Sequence, residues 1–488
     1  MKKIQAFWTT IKPVIINIGK YLQNFFLFVG KYLRIVWNFI YPILQKIYLV
    51  IAGFIKKIFS LLNFWEKIAV IVLFLVIIIC SYQAILKNYL KNTNALADYG
   101  GTYTEGILIE KPADAAAAVD KLSKIGLTRF DNGGVLQPAL AKSWEIKDDN
   151  KTYVFHLENV YSAQDAKTTL QKDKETWKDI QINALDNSTL EFKLTQPYAP
   201  LLNNLAKPVL PVGPYEVEKE SKTEIRLKVR SNFFIKKPYI AAIVLKLYID
   251  NEEMQKALSE RAIDGLAEVE SNYSKKGYNL DQIILPRWQV LFFNLASEPF
   301  KDKTTRQKLA RNEKLDKNFD VTLVTLDKAS YVQKAEEIRT KWAPLGVKVN
   351  IISRDALSLQ KDIIPTRDYD LLLYGIDYGY DPDPYPFWHS TQLGANGLNL
   401  SNFENVDGDK ILEEARQTTD DAKRKELYDK FNQILADEVP AIFLEQTSWR
   451  YLVSEKVKGI VNNHQAITPA DRYNEVWNWF IKEKRVKK

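Results

Sequence analysis

The chain has 488 residues, a formal charge of +8, one cysteine and three histidines. The charge is unevenly placed: residues 1–67 hold ten Lys/Arg against the single acid Glu66, and the remainder, with 58 basic and 59 acidic groups, is close to neutral. A neutral body removes the electrostatic footing for nucleic-acid binding, the lone Cys80 excludes an intrachain disulfide, and the length allows two or three domains around a large core.

In chain order, residues 1–64 are apolar but interrupted by Lys20, Lys31, Lys46 and Lys57, at intervals of 11, 15 and 11. Eleven residues is close to three helical turns, so the charges stay near one face. The uncharged runs between them are too short to span a bilayer unaided. The pattern predicts basic amphipathic helices on the inner leaflet, with a membrane hairpin as the rival. Residues 68–86 are 19 consecutive uncharged residues, IAVIVLFLVIIICSYQAIL, and predict a transmembrane helix over 65–87. The basic excess before it orients the N-terminus to the cytoplasm and the body to the outside. Cys80 follows Ile79 rather than the small residue of a lipoprotein site, and reads as an inert membrane cysteine. Residues 88–98 read as a short polar tether.

The body that follows is a mixed α/β pattern. Alternating stretches at 153–157, 190–194, 225–229 and 243–249 predict strands, and 252–261 a helix. FDVTLVTLD at 319–327 reads as a strand, 331–342 as a helix with Val332, Ala335, Ile338 and Trp342 on one face, and Val347, Val349 and Ile351 as the next strand. Strand–helix–strand with short links implies a parallel pair covered by helices. In the helix at 421–436, Leu427, Tyr428, Phe431, Ile434 and Leu435 form an apolar face for the core.

Residues 369–390, YDLLLYGIDYGYDPDPYPFWHS, are the most unusual segment. A strand ends in a loop with carboxylates at Asp377, Asp381 and Asp383, stiffened by Pro382, Pro384 and Pro386 and crowded by aromatics. Stiff loops at strand ends that carry acids and aromatics commonly hold ligands. Signals for catalysis are weak by comparison. His156, His389 and His464 are far apart, no Cys/His cluster has zinc spacing, no Gly-rich phosphate loop appears, and the loop acids lack EF-hand spacing. Neither an enzyme, nor a metal, nor a cofactor is expected.

Several segments in order carry a resemblance: YGGTYTEG at 99–106, GLTRFDNGGVLQPALAKSWEIKDDN at 126–150, ALSERAID at 257–264 and the helices and strand of 402–444. Together they resemble the extracellular solute-binding proteins of bacterial peptide ABC transporters, the oligopeptide/dipeptide-binding family 5. The resemblance implies a two-lobed periplasmic-binding-protein-like α/β fold, with lobe I over 99–285 and 446–488 and lobe II over 286–445. It implies a peptide ligand between the lobes, an ABC transporter permease as partner and, with the apolar helix, a lipid bilayer. It also implies that an aspartate after a lobe II strand binds the ligand ammonium: Asp377, with Asp381 as the alternative, and Tyr374, Tyr378 and Trp388 lining the site. Two departures stand out. Val160 runs directly into YSAQDA without the family's usual turn, and few residues separate Ala310 from the strand at Phe319. The second implies a trimmed lobe II. The rival function is a surface scaffold or sensor with a vestigial cleft.

Overall fold

The computed structural model describes residues 61–488 apart from 111, 148, 149, 270–272 and 462–465, together with scattered positions between 41 and 60. The amphipathic reading of 1–64 therefore lies largely outside the described residues. The chain divides into two compact units, residues 1–94 with 485–488, and residues 95–484.

In the first unit an α-helix spans Phe64–Lys91, 28 residues, or about 42 Å. Asn63 opens it with a capping box: its side chain accepts from Glu66 N, and Glu66 accepts from Asn63 N. No side chain of this helix is buried. Among the described residues it is the one helix long and apolar enough to cross a membrane. Phe64 and Trp65 meet edge to face at one end, and Tyr89, Lys87 and Lys91 crowd the other, as aromatic and basic groups do at a bilayer interface. Of the expected tether at 88–98, residues to Lys91 are helical and Thr93–Asp98 is a strand. The helix continues to Lys91 because Tyr89 and Leu90 extend its apolar pattern, and Thr93–Asp98 is a strand paired with Lys482–Lys487. A partner that distant in sequence leaves no local signal. Within the first unit, Arg485 donates to Thr93 Oγ1 at 2.8 Å and to the Leu90 carbonyl at 3.3 Å.

The second unit is built on a ten-stranded sheet. Two long strands, Tyr278–Phe293 and Ala441–Ser454, pair antiparallel at its centre and run through both halves. On one side Leu371–Asp377 pairs antiparallel with Tyr278–Phe293, followed by parallel Phe319–Leu326 and Val347–Arg354. On the other side lie Gly265–Ala267, Thr102–Leu108, Ala242–Tyr248, Glu224–Val229 and Tyr215–Glu220. The register of the two long strands breaks between Ile284 and Trp288, around Pro286, which has no N–H for the ladder. A separate four-stranded antiparallel sheet carries Ala141–Ile146, Thr152–Leu157, Ile180–Ala184 and Thr189–Leu194.

Burial on both faces explains the apolar run of Leu371–Asp377. Leu371 and Leu373 pack with Phe293, Val321 and Trp342, while Leu372 and Ile376 pack with Phe292, Trp388 and Phe431. Helix Ala329–Trp342 buries Ala335, Ile338 and Trp342, with Val332 partly exposed, and Gly346 ends the turn after it at φ 100°. A Cβ there would meet Asn318 Oδ1 at 2.8 Å, so both backbone and space require glycine. The chain's last segment is tied to the sheet by Arg472, whose Nε donates to Glu105 at 2.9 Å in the interior.

Candidate ligand-binding site

Strand Leu371–Asp377 delivers the acidic loop to the boundary between the two halves of the sheet, and Asp377 stands opposite Arg287 in the register. The two side chains pair, Arg287 Nε to Asp377 Oδ2 at 2.6 Å, and Asp377 Oδ1 accepts from Gly379 N at 2.9 Å. The Asp377 side chain is 46% exposed, so its charge sits at a wet rim. Gly379 adopts φ 63° to turn the loop inward.

The other two acids face the interior. Asp381 receives both terminal nitrogens of Arg424, Nη1 at 2.8 Å. Its Oδ2 also accepts from Asn203 Nδ2 at 2.8 Å, across from the loop. Asp383 accepts from Arg416 Nε at 2.7 Å and from Tyr385 N at 3.0 Å. Burial pushes the Asp383 carboxyl up, and Arg416 partly opposes it. Arg416 lies over the Tyr385 ring at 3.8 Å and near Tyr198 at 5.7 Å, and its carbonyl accepts from Ala199 N at 2.7 Å. Asn203 and Ala199 precede the long strands and Asp381 and Arg416 lie between them, so these bonds join the two sides of the fold.

The remaining expected residues separate. Trp388 is fully buried, with its ring 6.1 Å from those of Phe292 and Phe443. Tyr378 is half-buried edge-on to Phe387, donates its N–H to the Pro286 carbonyl at 3.0 Å, and has its phenol pushed up to about 12 by burial. Tyr374 is half-buried, its hydroxyl accepting from Gln360 at 3.4 Å. His389 stacks on Tyr385 at 4.0 Å and accepts from Thr391 N at Nδ1, which leaves Nε2 3.3 Å from Glu413. Among the described residues no group of three His, Cys, Asp or Glu side chains is placed to hold a metal ion.

A cavity of about 350 Å³ opens between the sides of the fold. Gly379, Tyr380 and Pro382 of the loop form one wall, Leu285, Pro286 and Gln446 the floor at the register break, and Lys121, Asn203 and Asp471 the far wall. Sequence reasoning missed Lys121, Asn203 and Asp471. They are brought together from segments more than 80 residues apart, and the one local pattern among them, the Thr468–Asp471 capping box, marks a helix start rather than a ligand site. Tyr380 was visible in the aromatic crowd of the loop, but its inward direction depends on the turn at Gly379.

A family description, "Bacterial extracellular solute-binding proteins, family 5 Middle", matches residues 135–311. The probable D,D-dipeptide-binding periplasmic protein of Escherichia coli (strain K12) is 23% identical over 425 residues, covering 66% of this chain and 82% of that protein. The oligopeptide-binding protein AppA of Bacillus subtilis, solved with a nonapeptide, superposes with a TM-score of 0.60 at 16% identity, over 79% of this chain and 100% of its own. NikZ of Campylobacter jejuni, solved with Ni(L-His), gives 0.61 at 20% identity, over 78% and 99%. Over residues 135–311 the sequence matches the bacterial extracellular solute-binding proteins of family 5, and over most of its length the chain is similar in sequence to the dipeptide-binding protein above and shares the fold of the solved neighbours.

Proposed function

We propose that the protein is a membrane-tethered receptor that binds peptides between its lobes and hands them to an ABC permease. The observation that carries the reading is the 350 Å³ cavity at the register break, walled on one side by the loop after Leu371–Asp377. Its size lies at the small end of ligand pockets, roughly 300–1,000 Å³. Helix Phe64–Lys91 anchors the chain in the bilayer, with residues 1–64 cytoplasmic and the body outside, and raises the effective concentration of the body at the permease. In this reading the lobes are 99–285 with 446–488, and 286–445. Asp377 exchanges Arg287 for the ligand ammonium by a charge-assisted hydrogen bond. Tyr378 and Tyr374 flank the entry, Asp381 sets the loop, and Trp388 is the packed floor beneath it. Binding and closure, not chemistry on the ligand, are the function.

The test uses the full chain in lipid nanodiscs, followed by thermal stability and tryptophan fluorescence against a di- and tripeptide library. Stabilisation by peptides that weakens at least tenfold in Asp377→Ala supports the receptor. A folded protein indifferent to every peptide supports the second reading, a surface scaffold with a vestigial cleft. That reading is favoured by the fact that Asp377 already holds Arg287.

A further inference from the structure

The charged lining of the cavity is sparse. Of the residues that form its walls only Lys121 and Asp471 are charged, and they touch: Lys121 Nζ lies 2.5 Å from Asp471 Oδ1. The two are not equivalent toward a ligand. Asp471 is committed to its own backbone, its Oδ2 accepting from Ile467 N at 3.0 Å and Thr468 N at 2.8 Å as the capping box of the short helix Pro469–Tyr473. It is almost wholly buried. Burial pushes its carboxyl up, but Lys121 and the two N–H groups outweigh this and hold it below the usual range. The carboxylate is therefore saturated and stays ionised.

Lys121 is the opposite case. Its ammonium carries three donors, of which one is spent on Asp471 among the described residues, and a fifth of its side chain is open. It sits in the last turn of helix Pro112–Ser123, where the helix dipole favours a cation. Across the cavity are the half-buried Tyr380 and the amide of Gln446, and beside Lys121 is the amide of Asn203; Tyr380 and Asn203 already border anions. A second carboxylate could not approach Asp471, whereas one approaching Lys121 would meet free N–H donors on a cation whose position Asp471 fixes. A ligand ammonium finds no uncommitted acid inside, because Asp377 lies outside the cavity lining and Asp381 is held by Arg424.

We propose that Lys121, positioned by Asp471, is the specificity-determining contact of the cavity and that it reads a carboxylate on a small ligand. Ligands are then short peptides or amino-acid-like molecules with a free acid end inside the cavity, and the amino end is directed toward the rim. The inference rests on the peptide-receptor reading.

The experiment presents the full chain in nanodiscs with a di- and tripeptide library twice, as free acids and as C-terminal amides, and measures affinity by calorimetry. The expected result is that free acids bind at least tenfold tighter than their amides. Lys121→Gln should bring acids down to the level of amides, and Lys121→Arg should retain the preference. Equal affinity of acids and amides for the wild-type protein overturns the proposal without any variant, so a Lys121→Gln chain that fails to fold does not shelter it. Persistence of the acid preference in Lys121→Gln also overturns it. Absence of binding by any peptide refutes the receptor reading and this inference together, whereas binding without preference refutes the inference alone.

Discussion

Asp381 and Arg424 illustrate how one loop residue can be held by a group far away in sequence. Both are almost wholly buried, and removing one partner leaves an uncompensated charge. Arg424→Ala is expected to destabilise the body by about 3–5 kcal/mol, read as a lowered urea midpoint at constant slope. Asp377 is the contrasting case, since its pair with Arg287 is solvent-exposed. Asp377→Ala should change stability by less than about 1 kcal/mol, so a loss of peptide response in that variant reports binding rather than folding. Asp471 sets a pH dependence. A carboxyl whose folded pKa lies below its unfolded value stabilises the fold above about pH 4 and loses that contribution as the pH falls through the depressed value. Melting temperature should fall on acidification below that point, and Asp471→Asn should flatten that part of the profile. The loop's acids were legible in sequence as a group, but not their division of labour. Composition shows three aspartates and three prolines. It does not show which carboxylate meets Arg424, because that arginine lies 43 residues on, on the inner face of helix Asp421–Glu438.

Elements with a strong local pattern were readable. The strand at 319, the helix to Trp342 and the strand at 347 appear in the expected order and pair in parallel, because each alternation or helical stripe matches a face that is buried. Helix Asp421–Glu438 buries Leu427 and Phe431 as its periodicity implies. The helix then ends on Val439 at φ 47°, an unfavourable conformation for a β-branched residue. Arg306 holds this corner, donating to the Glu438 and Val439 carbonyls at 3.1 and 3.2 Å. Neither the strain nor the clamp has a signature in the local sequence. Helix Phe64–Lys91 was legible because its apolar run is unbroken. Its ends were not, since they depend on Asn63 and on Arg485. A lysine at its middle, Ile77→Lys, should cost about 3 kcal/mol of membrane insertion and reduce the fraction of chain that resists alkaline extraction, with Ile77→Leu unchanged.

At the scale of the whole body, the sheet is continuous through both lobes, so any opening must flex the two long strands where their register already breaks. Against that flexing stand the contacts from Asn203 to Asp381 and from Ala199 to Arg416. A hydrogen bond to a charged group contributes about 1.5–3 kcal/mol. Asn203→Ala should therefore shift the body toward open forms, visible as a larger radius of gyration in solution scattering. These bonds are made by protein atoms alone, which has a consequence in time as well as in shape. In the receptor reading proposed above, a ligand too large for the cavity entry waits for a spontaneous opening, and its apparent affinity is reduced by the fraction of molecules that are open. The rate of capture of such a ligand then stops rising with its concentration and levels off at the opening rate, a ceiling set by the Asn203–Asp381 and Ala199–Arg416 contacts rather than by diffusion.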